Sequence, residues 1–126
     1  MQCPKTILIL FDCQLDSSTD QKTRTTLRRK TAASCLHKGM TGFFMGYDSG
    51  FVGLFEGKTN KVFSQIEGLI RKPYVSELHV EQEFPPSQQV WPEWYQGGRM
   101  LADLPRSELD RLPGLAQFVL HKLNAG

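Results

Sequence analysis

The sequence lacks any long hydrophobic run. Its longest apolar stretch, residues 7–11 (ILILF), is far shorter than the roughly 20 apolar residues that a membrane-spanning helix needs. The opening residues MQCPK also lack the apolar segment of a secretory signal peptide. These features predict a protein that does not insert into a membrane, and we expect a cytoplasmic location.

Cysteine is scarce, and the sequence has no pattern of metal-binding residues. The three cysteines, Cys3, Cys13 and Cys35, are an odd number without Cys-x-x-Cys spacing. This excludes a disulfide framework and a zinc site of the usual kinds. The three histidines stand alone, with no pair at ligand spacing, so no metal is predicted. We expect reduced, partly buried thiols.

The chain also lacks a strong net charge and the motifs of an enzyme. Fifteen Lys and Arg residues against 13 Asp and Glu give a net charge of +2, which does not favour a nucleic-acid partner. No Gly-rich phosphate loop and no nucleophile with an evident base is present, so catalysis is not predicted. One local asymmetry stands out, because residues 21–47 contain no acid but several cations. They form either the solvated side of a helix or a contact surface for an acidic partner.

The most informative run is residues 41–57, TGFFMGYDSGFVGLFEG. Apolar residues 43–45 and 51–55 flank the turn-forming tetrapeptide at 47–50, YDSG, which predicts a β-hairpin. Two adjacent strands without a crossover must be antiparallel. We therefore expect this hairpin to form one part of an antiparallel sheet.

Before the hairpin, the pattern predicts a strand and a helix. Residues 6–11 are apolar and rich in Ile and Leu, which favours a buried, central strand. A helix is predicted from about 19 to 37, starting with a capping box of Ser18 and Gln21. Gly39 is expected to end it in a left-handed conformation.

After the hairpin, residues 58–72 have the spacing of an amphipathic helix, with Thr59 or Asn60 as its cap. Its predicted apolar face consists of Val62, Phe63, Ile66, Leu69 and Ile70. A half-exposed strand over 75–81 and a last strand over 94–100 follow.

The predicted order is β-α-β-β-α-β-β followed by helices. This order matches a ferredoxin-like α+β sheet with an added fifth strand, two helices on one face and C-terminal helices on the other. We expect residues 1–126 to form a single domain, with a core at about 6–100 and a helical cap at about 104–124, in which Ser107 caps a helix.

Three short motifs make residues 6–100 resemble the BLUF domain, a family of blue-light sensors that use FAD. The family has a Gly-x-Thr-Gly signature at its second strand, matched by GMTG at 39–42. It has Leu-Glu-Gly at the end of its third strand, matched by FEG at 55–57. Its Phe-x-x-Trp pattern is echoed by WPEW at 91–94. The resemblance implies a flavin site between the two helices of a ferredoxin-like sheet.

The resemblance also shows which flavin-contacting residues are replaced. The family uses a tyrosine on the first strand, a glutamine on the third, an asparagine on the first helix and often a methionine after the final tryptophan. The aligned residues here are Phe11, Gly53, Cys35 and Gln96. Trp94 takes the place of the tryptophan, and Arg71 lies near the position of a basic residue close to the flavin phosphate. Neither Phe11 nor Gly53 offers a side-chain hydrogen bond.

The sequence therefore predicts a BLUF-like sensory or regulatory protein-interaction module that has lost flavin photochemistry. No cofactor is expected, and the expected partner is another protein or a second copy of the chain. Two alternatives stay open. One is a divergent FAD-binding sensor of blue light or redox state, and the other is a protein that binds a small molecule between its two helices.

Overall fold

The computed structural model describes residues 6–84, 90–91, 93–96 and 100–125. It contains four strands, β1 (Thr6–Leu15), β2 (Thr41–Tyr47), β3 (Gly50–Lys58) and β4 (Val75–Phe84). Its α-helices are α1 (Gln21–His37), α2 (Thr59–Ile70), α3 (Arg106–Leu109) and α4 (Leu115–Ala125). A short 3-10 helix spans Leu101–Asp103. No helix within the described ranges is long and apolar enough to cross a membrane.

The four strands form one antiparallel sheet in the order β2-β3-β1-β4. This confirms the predicted ferredoxin-like arrangement and the central place of β1. The strand runs four residues beyond the predicted end, because Asp12 and Gln14 alternate with the buried Cys13 and Leu15. Successive side chains of a strand point to opposite faces, so polar residues on one face do not interrupt the apolar residues on the other.

Helices α1 and α2 pack on one face of the sheet over an apolar cluster that includes Ile9, Phe11, Phe44 and Phe55. Gly39 ends α1 with a φ of 73°, as predicted. The predicted capping box is wrong, since Asp20 caps the helix by accepting a hydrogen bond from the Thr23 amide. Neither predicted cap of α2 is used, because the N-cap is Lys58 and makes no side-chain cap bond.

The predicted apolar face of α2 is correct in part. Val62, Ile66 and Leu69 are buried, whereas Phe63 and Ile70 are 41% and 54% exposed. Both exposed residues project to one side of the helix, since they are seven residues apart and the α-helix repeats every 3.6 residues.

The C-terminal helices cover the opposite face of the sheet. Leu112, Leu115 and Val119 join Leu8, Leu10 and other residues in a second apolar cluster. Pro105 precedes α3 as its N-cap, so the Ser107 cap is wrong. The described residues do not show the predicted fifth strand over 94–100, although 97–99 lie outside them. Trp94 and Met100 make only isolated parallel bridges to β2.

Candidate functional site

The two residues at the centre of the expected flavin site are direct neighbours in the sheet. Phe11 on β1 is paired with Gly53 on β3. A Cβ atom added at Gly53 would lie 2.1 Å from Cζ of Phe11 and 2.4 Å from its Cε1. The Phe11 ring therefore occupies the space that any larger residue at position 53 would need.

Phe11 belongs to a cluster of aromatic rings on the helix-bearing face. Its ring meets Phe55 edge-on at 4.7 Å between centroids, and Phe44 lies 6.2 Å away. Phe44 stacks on Phe51 at 4.5 Å, and Phe55 lies 6.0 Å from Trp94. The cluster is packed by apolar contact and leaves the Phe11 ring with no exposed surface.

Cys35 reaches the same cluster from α1 and is fully buried. Burial raises the pKa of its thiol from about 9 to about 12, although Lys38 partly opposes the shift. At neutral pH the side chain is therefore a neutral thiol, which is only a weak hydrogen-bond donor. The structure thus brings Phe11, Gly53, Cys35 and Trp94 together in one packed region.

The other two predicted site residues lie elsewhere. Arg71 follows the end of α2, where its side chain is 80% exposed and lies 3.6 Å from the Glu67 carboxylate. Gln96 is exposed and lines a separate surface cavity with Trp91, Trp94 and Arg111. Neither residue is part of the aromatic cluster.

A groove remains between α1 and α2 on the outer side of the cluster. It has a volume of about 320 Å³. A polar bridge crosses between its two walls, because the Gln65 Oε1 atom accepts hydrogen bonds from Ser34 Oγ and Lys38 Nζ, both at 2.9 Å. The helices are therefore held to each other directly by side chains in this part of the groove.

The opposite face of the sheet contains a buried polar network that the sequence analysis missed. Asp12 is 2% exposed. Its carboxylate accepts hydrogen bonds from Tyr47 Oη at 2.5 Å, Gln14 Nε2 at 2.7 Å and Lys122 Nζ at 2.9 Å. Gln14 also donates to the Tyr47 hydroxyl. Burial, together with the hydrogen bond and charge of Asp12, raises the pKa of Tyr47. The network ties α4 to the centre of the sheet.

Arg24, one of the cations of the acid-free segment, is engaged within the fold. Its guanidinium donates to the backbone carbonyls of Tyr47, Asp48 and Gly50 at the hairpin turn. It also lies over the Phe51 ring, 5.5 Å from the centroid. This residue holds the turn against α1 and is not part of a freely solvated basic face.

Glu56, near the end of β3, is a second buried carboxylate with several hydrogen-bond donors around it. It is 7% exposed, and its carboxylate accepts hydrogen bonds from the backbone amides of Val90 at 2.7 Å and Trp91 at 2.8 Å. Thr41 Oγ1 donates to the same carboxylate at 3.2 Å. Thr41 and Glu56, one from each of the motifs at 39–42 and 55–57, thus hold residues 90–91 against the end of the sheet.

No protein-family profile and no curated protein matches the sequence. Solved structures do match. The BLUF protein BlrB superposes with a TM-score of 0.69 at 15% identity, over 97% of this chain and 94% of BlrB. A manganese and cyclic diGMP complex of BlrP1 from Klebsiella pneumoniae gives a TM-score of 0.73 at 12% identity. A bacterial light-regulated adenylyl cyclase gives 0.68 at 10% identity.

This chain has a BLUF-like fold. It spans nearly all of BlrB but only 33% of BlrP1 and 35% of the adenylyl cyclase, over 96% and 95% of its own length respectively. At 10–15% identity the likeness is one of fold. The BLUF-like fold nevertheless agrees with the resemblance that the short motifs indicated.

Proposed function

We propose that residues 1–126 form a single regulatory domain of BLUF-like fold that acts by contact with another protein chain and has lost flavin photochemistry. The observation that supports this most directly is the contact of the Phe11 ring with Gly53. A phenylalanine has no hydroxyl, and a glycine has no side-chain amide. The two positions that the resemblance assigns to the light-driven hydrogen-bond rearrangement therefore contain no group that can rearrange.

The packing of the aromatic cluster supports the same proposal. Phe11 and Cys35 have no exposed surface, and Trp94 is 6% exposed. A flavin ring placed there would have to displace rings that now contact one another. Each polar group of the flavin left without a partner would cost a further 1–3 kcal/mol or so. The displacement of packed rings and the loss of hydrogen bonds to the flavin would both lower flavin affinity.

Exposed apolar side chains support a role in protein contact. Phe63 and Ile70 project from one side of α2, and Val80 on the outermost strand β4 is 49% exposed. Exposed apolar side chains that share one surface are typical of interaction sites, and Phe63 and Ile70 share one side of α2. The solved neighbours add support at the level of the fold, since in two of them the matching region is about a third of a longer protein.

An absorption spectrum of the purified protein tests the photochemical part of the proposal. We expect no flavin band, and no light-induced shift after incubation with FAD. A stoichiometric flavin spectrum that shifts on illumination would overturn this part.

Native mass spectrometry of the wild-type protein and of Val80→Glu tests the proposed protein contact. The variant Glu81→Gln, at a neighbouring exposed residue, is the control. We expect the wild-type chain to form an oligomer or to carry a bound partner, and we expect Val80→Glu to weaken that association. A wild-type chain that is monomeric and carries no partner would contradict the proposed protein contact.

The second candidate is a divergent flavoprotein that responds to light or redox state by another route. It is favoured by the groove that persists between α1 and α2. A further BlrP1 structure contains FMN and cyclic diGMP, which shows that a protein of similar fold binds a flavin. Thermal unfolding with and without FAD separates the candidates, because a ligand that binds only the folded state raises the midpoint.

A further inference from the structure

We propose that the chain binds a second copy of itself head to tail. In this contact the outer side of α1 in one copy meets the side of α2 next to β4 in the other copy. The inference rests on the proposed function, since it names the partner of the protein contact. Two exposed surfaces of opposite charge, on different sides of the fold, support it.

The first surface, termed the α2–β4 side, is the side of α2 turned away from α1, together with the neighbouring strand β4. Phe63 and Ile70 lie about 160° and about 140° around α2 from Gln65, whose side chain faces α1. They therefore point toward β4, because α1 lies over β2 at the other edge of the sheet. Val80 is on the same face of the sheet as α2, since it is paired with Phe11 of the apolar cluster under the helices. All three apolar side chains of this surface are exposed.

Two exposed carboxylates accompany the apolar residues of the α2–β4 side. Glu67 lies about one helical turn from both apolar residues of α2. Glu83 is on the same face of the sheet as Val80, since it is paired with Ile9 of the apolar cluster under the helices. Arg71 lies 3.6 Å from Glu67, but both side chains are mostly exposed, so this ion pair is weak. The α2–β4 side therefore suits a partner that has cations beside an apolar group.

The second surface, termed the basic row, runs along the outer side of α1. Lys22, Arg29 and Leu36 follow one another at intervals of seven residues, so they lie in one row on the helix. Arg29 is turned about 160° from Thr31, which belongs to the buried side of α1. All three side chains of the row are exposed, and α1 contains no acid. Within the part of the chain that the structure describes, neither Lys22 nor Arg29 forms an ion pair.

The two surfaces are complementary in charge, and each includes exposed apolar side chains. Opposite charges across a contact speed association and fix its register, whereas the apolar groups gain from being buried. A symmetric contact of either surface with its own copy would bring like charges together, which costs free energy. The two surfaces lie at opposite edges of the sheet, so one chain has both available at once. Repeated head-to-tail contacts of this kind form a ring or a filament.

Two charge-reversal variants test the proposal by sedimentation velocity at low salt. Lys22→Glu/Arg29→Glu reverses the basic row, and Glu67→Arg/Glu83→Arg reverses the α2–β4 side. We expect the wild-type chain to associate more as its concentration rises and less as salt is added, because the contact is partly ionic. Each variant alone should self-associate about tenfold or more weakly than wild type, because attraction between the surfaces becomes repulsion.

A mixture of the two variants and a matched control complete the experiment. The first variant is acidic on both surfaces and the second is basic on both, so each repels its own copies and attracts the other. We expect an equimolar mixture to associate again, with the two variants in equal number, as native mass spectrometry with one variant isotopically labelled can show. The control Lys72→Glu/Arg106→Glu reverses two exposed cations outside both surfaces and should associate like wild type. Circular dichroism checks that every variant is folded.

Three results would overturn the proposal. They are a wild-type chain that stays monomeric at every concentration, a folded reversal variant that associates like wild type, and a mixture that does not regain association. Failure here is distinguishable from failure of the proposed function. A monomeric chain that carries a different protein would overturn the second copy as partner and leave the protein contact standing. Association that Val80→Glu weakens and Lys22→Glu/Arg29→Glu does not would likewise retain the contact and remove α1 from it.

Discussion

The ring of Phe11 on β1 packs directly against the backbone of Gly53 on β3 and fills the space that a side chain at position 53 would occupy. Gly53→Ala should therefore destabilise the fold by about 1–3 kcal/mol, the usual cost of overpacking a core. Urea unfolding measures the change. When Phe11 is also replaced by leucine, Gly53→Ala should lower the free energy of unfolding by less. A double-mutant cycle measures this difference as the coupling energy between the two positions.

Gly68→Ala is the matched control for this substitution. Its new methyl group meets no neighbour within 4 Å, and alanine favours the helix, so stability should rise or stay the same. If Gly53→Ala and Gly68→Ala proved equally harmless, the Phe11 ring would not occupy the volume beside Gly53.

The ion pair of Lys122 and Asp12 should contribute measurably to stability. Their side chains are 19% and 3% exposed, and the nitrogen–oxygen distance is 2.9 Å. Lys122→Met keeps most of the aliphatic stem but removes one of three donors to a buried carboxylate, so we expect a loss of about 1–3 kcal/mol. Pairing it with Asp12→Asn should recover part of the loss. The exposed Lys22→Met is the control, and an equal effect there would contradict the prediction.

Glu56→Gln tests the attachment of the segment at residues 90–91. One oxygen acceptor becomes an amide donor that faces a backbone N–H, so we expect a loss of about 1–3 kcal/mol. The Val90 and Trp91 amides should exchange hydrogen faster, as native-state NMR can show. The exposed Glu93→Gln provides the comparison. Unchanged exchange at both amides in Glu56→Gln would show that the carboxylate does not hold them.

Alkaline pH should destabilise the protein through its buried thiols and Tyr47. Burial raises the pKa of Cys13 and Cys35 from about 9 to about 12, and the pKa of Tyr47 is raised as well. Above about pH 9 the folded state therefore binds more protons than the unfolded state does. The contribution of these groups to the free energy of unfolding is fully present below that pH and is lost as the pH rises. The slope approaches about 1.4 kcal/mol per pH unit for each group.

Urea unfolding between pH 8 and 11 measures this slope. In Cys13→Ala/Cys35→Ala the decline should become shallower, since only Tyr47 remains to titrate among these three groups. A slope that does not change in the double variant would mean that the thiols do not contribute to it.

Much of the fold could be predicted from the sequence because its signals are local. The hairpin follows from a turn tetrapeptide between apolar runs, and the end of α1 follows from Gly39. The predicted cap at Ser18 is wrong, because Asp20 also has a side chain suited to capping and accepts the hydrogen bond of the Thr23 amide. The apolar spacing of α2 predicts that Phe63 and Ile70 are buried, because the sequence does not show how wide a face of the helix the sheet covers.

Sequence motifs predict which residues lie on the strands and helices around the candidate site. They do not predict contacts between residues that are far apart in the chain. Phe11, Gly53, Cys35 and Trp94 lie together in one packed region, and their assignment to a flavin site stays a prediction. Arg71 does not join them, because its side chain turns toward Glu67 one helical turn earlier. The Asp12 network was missed since its lysine partner is 110 residues away. The predicted strand ends at residue 11, whereas β1 continues to Leu15 with Asp12 on the face opposite to that of Phe11.

The attachment of α4 to β1 has a consequence for how the chain folds. The sheet face that α4 covers contains Leu8, Leu10 and Leu54, all made well before residue 115. During synthesis this apolar face stays only partly covered until α4 has left the ribosome, since contacts of such sequence separation close late. Nascent chains that stop before residue 115 should therefore associate with one another or with chaperones.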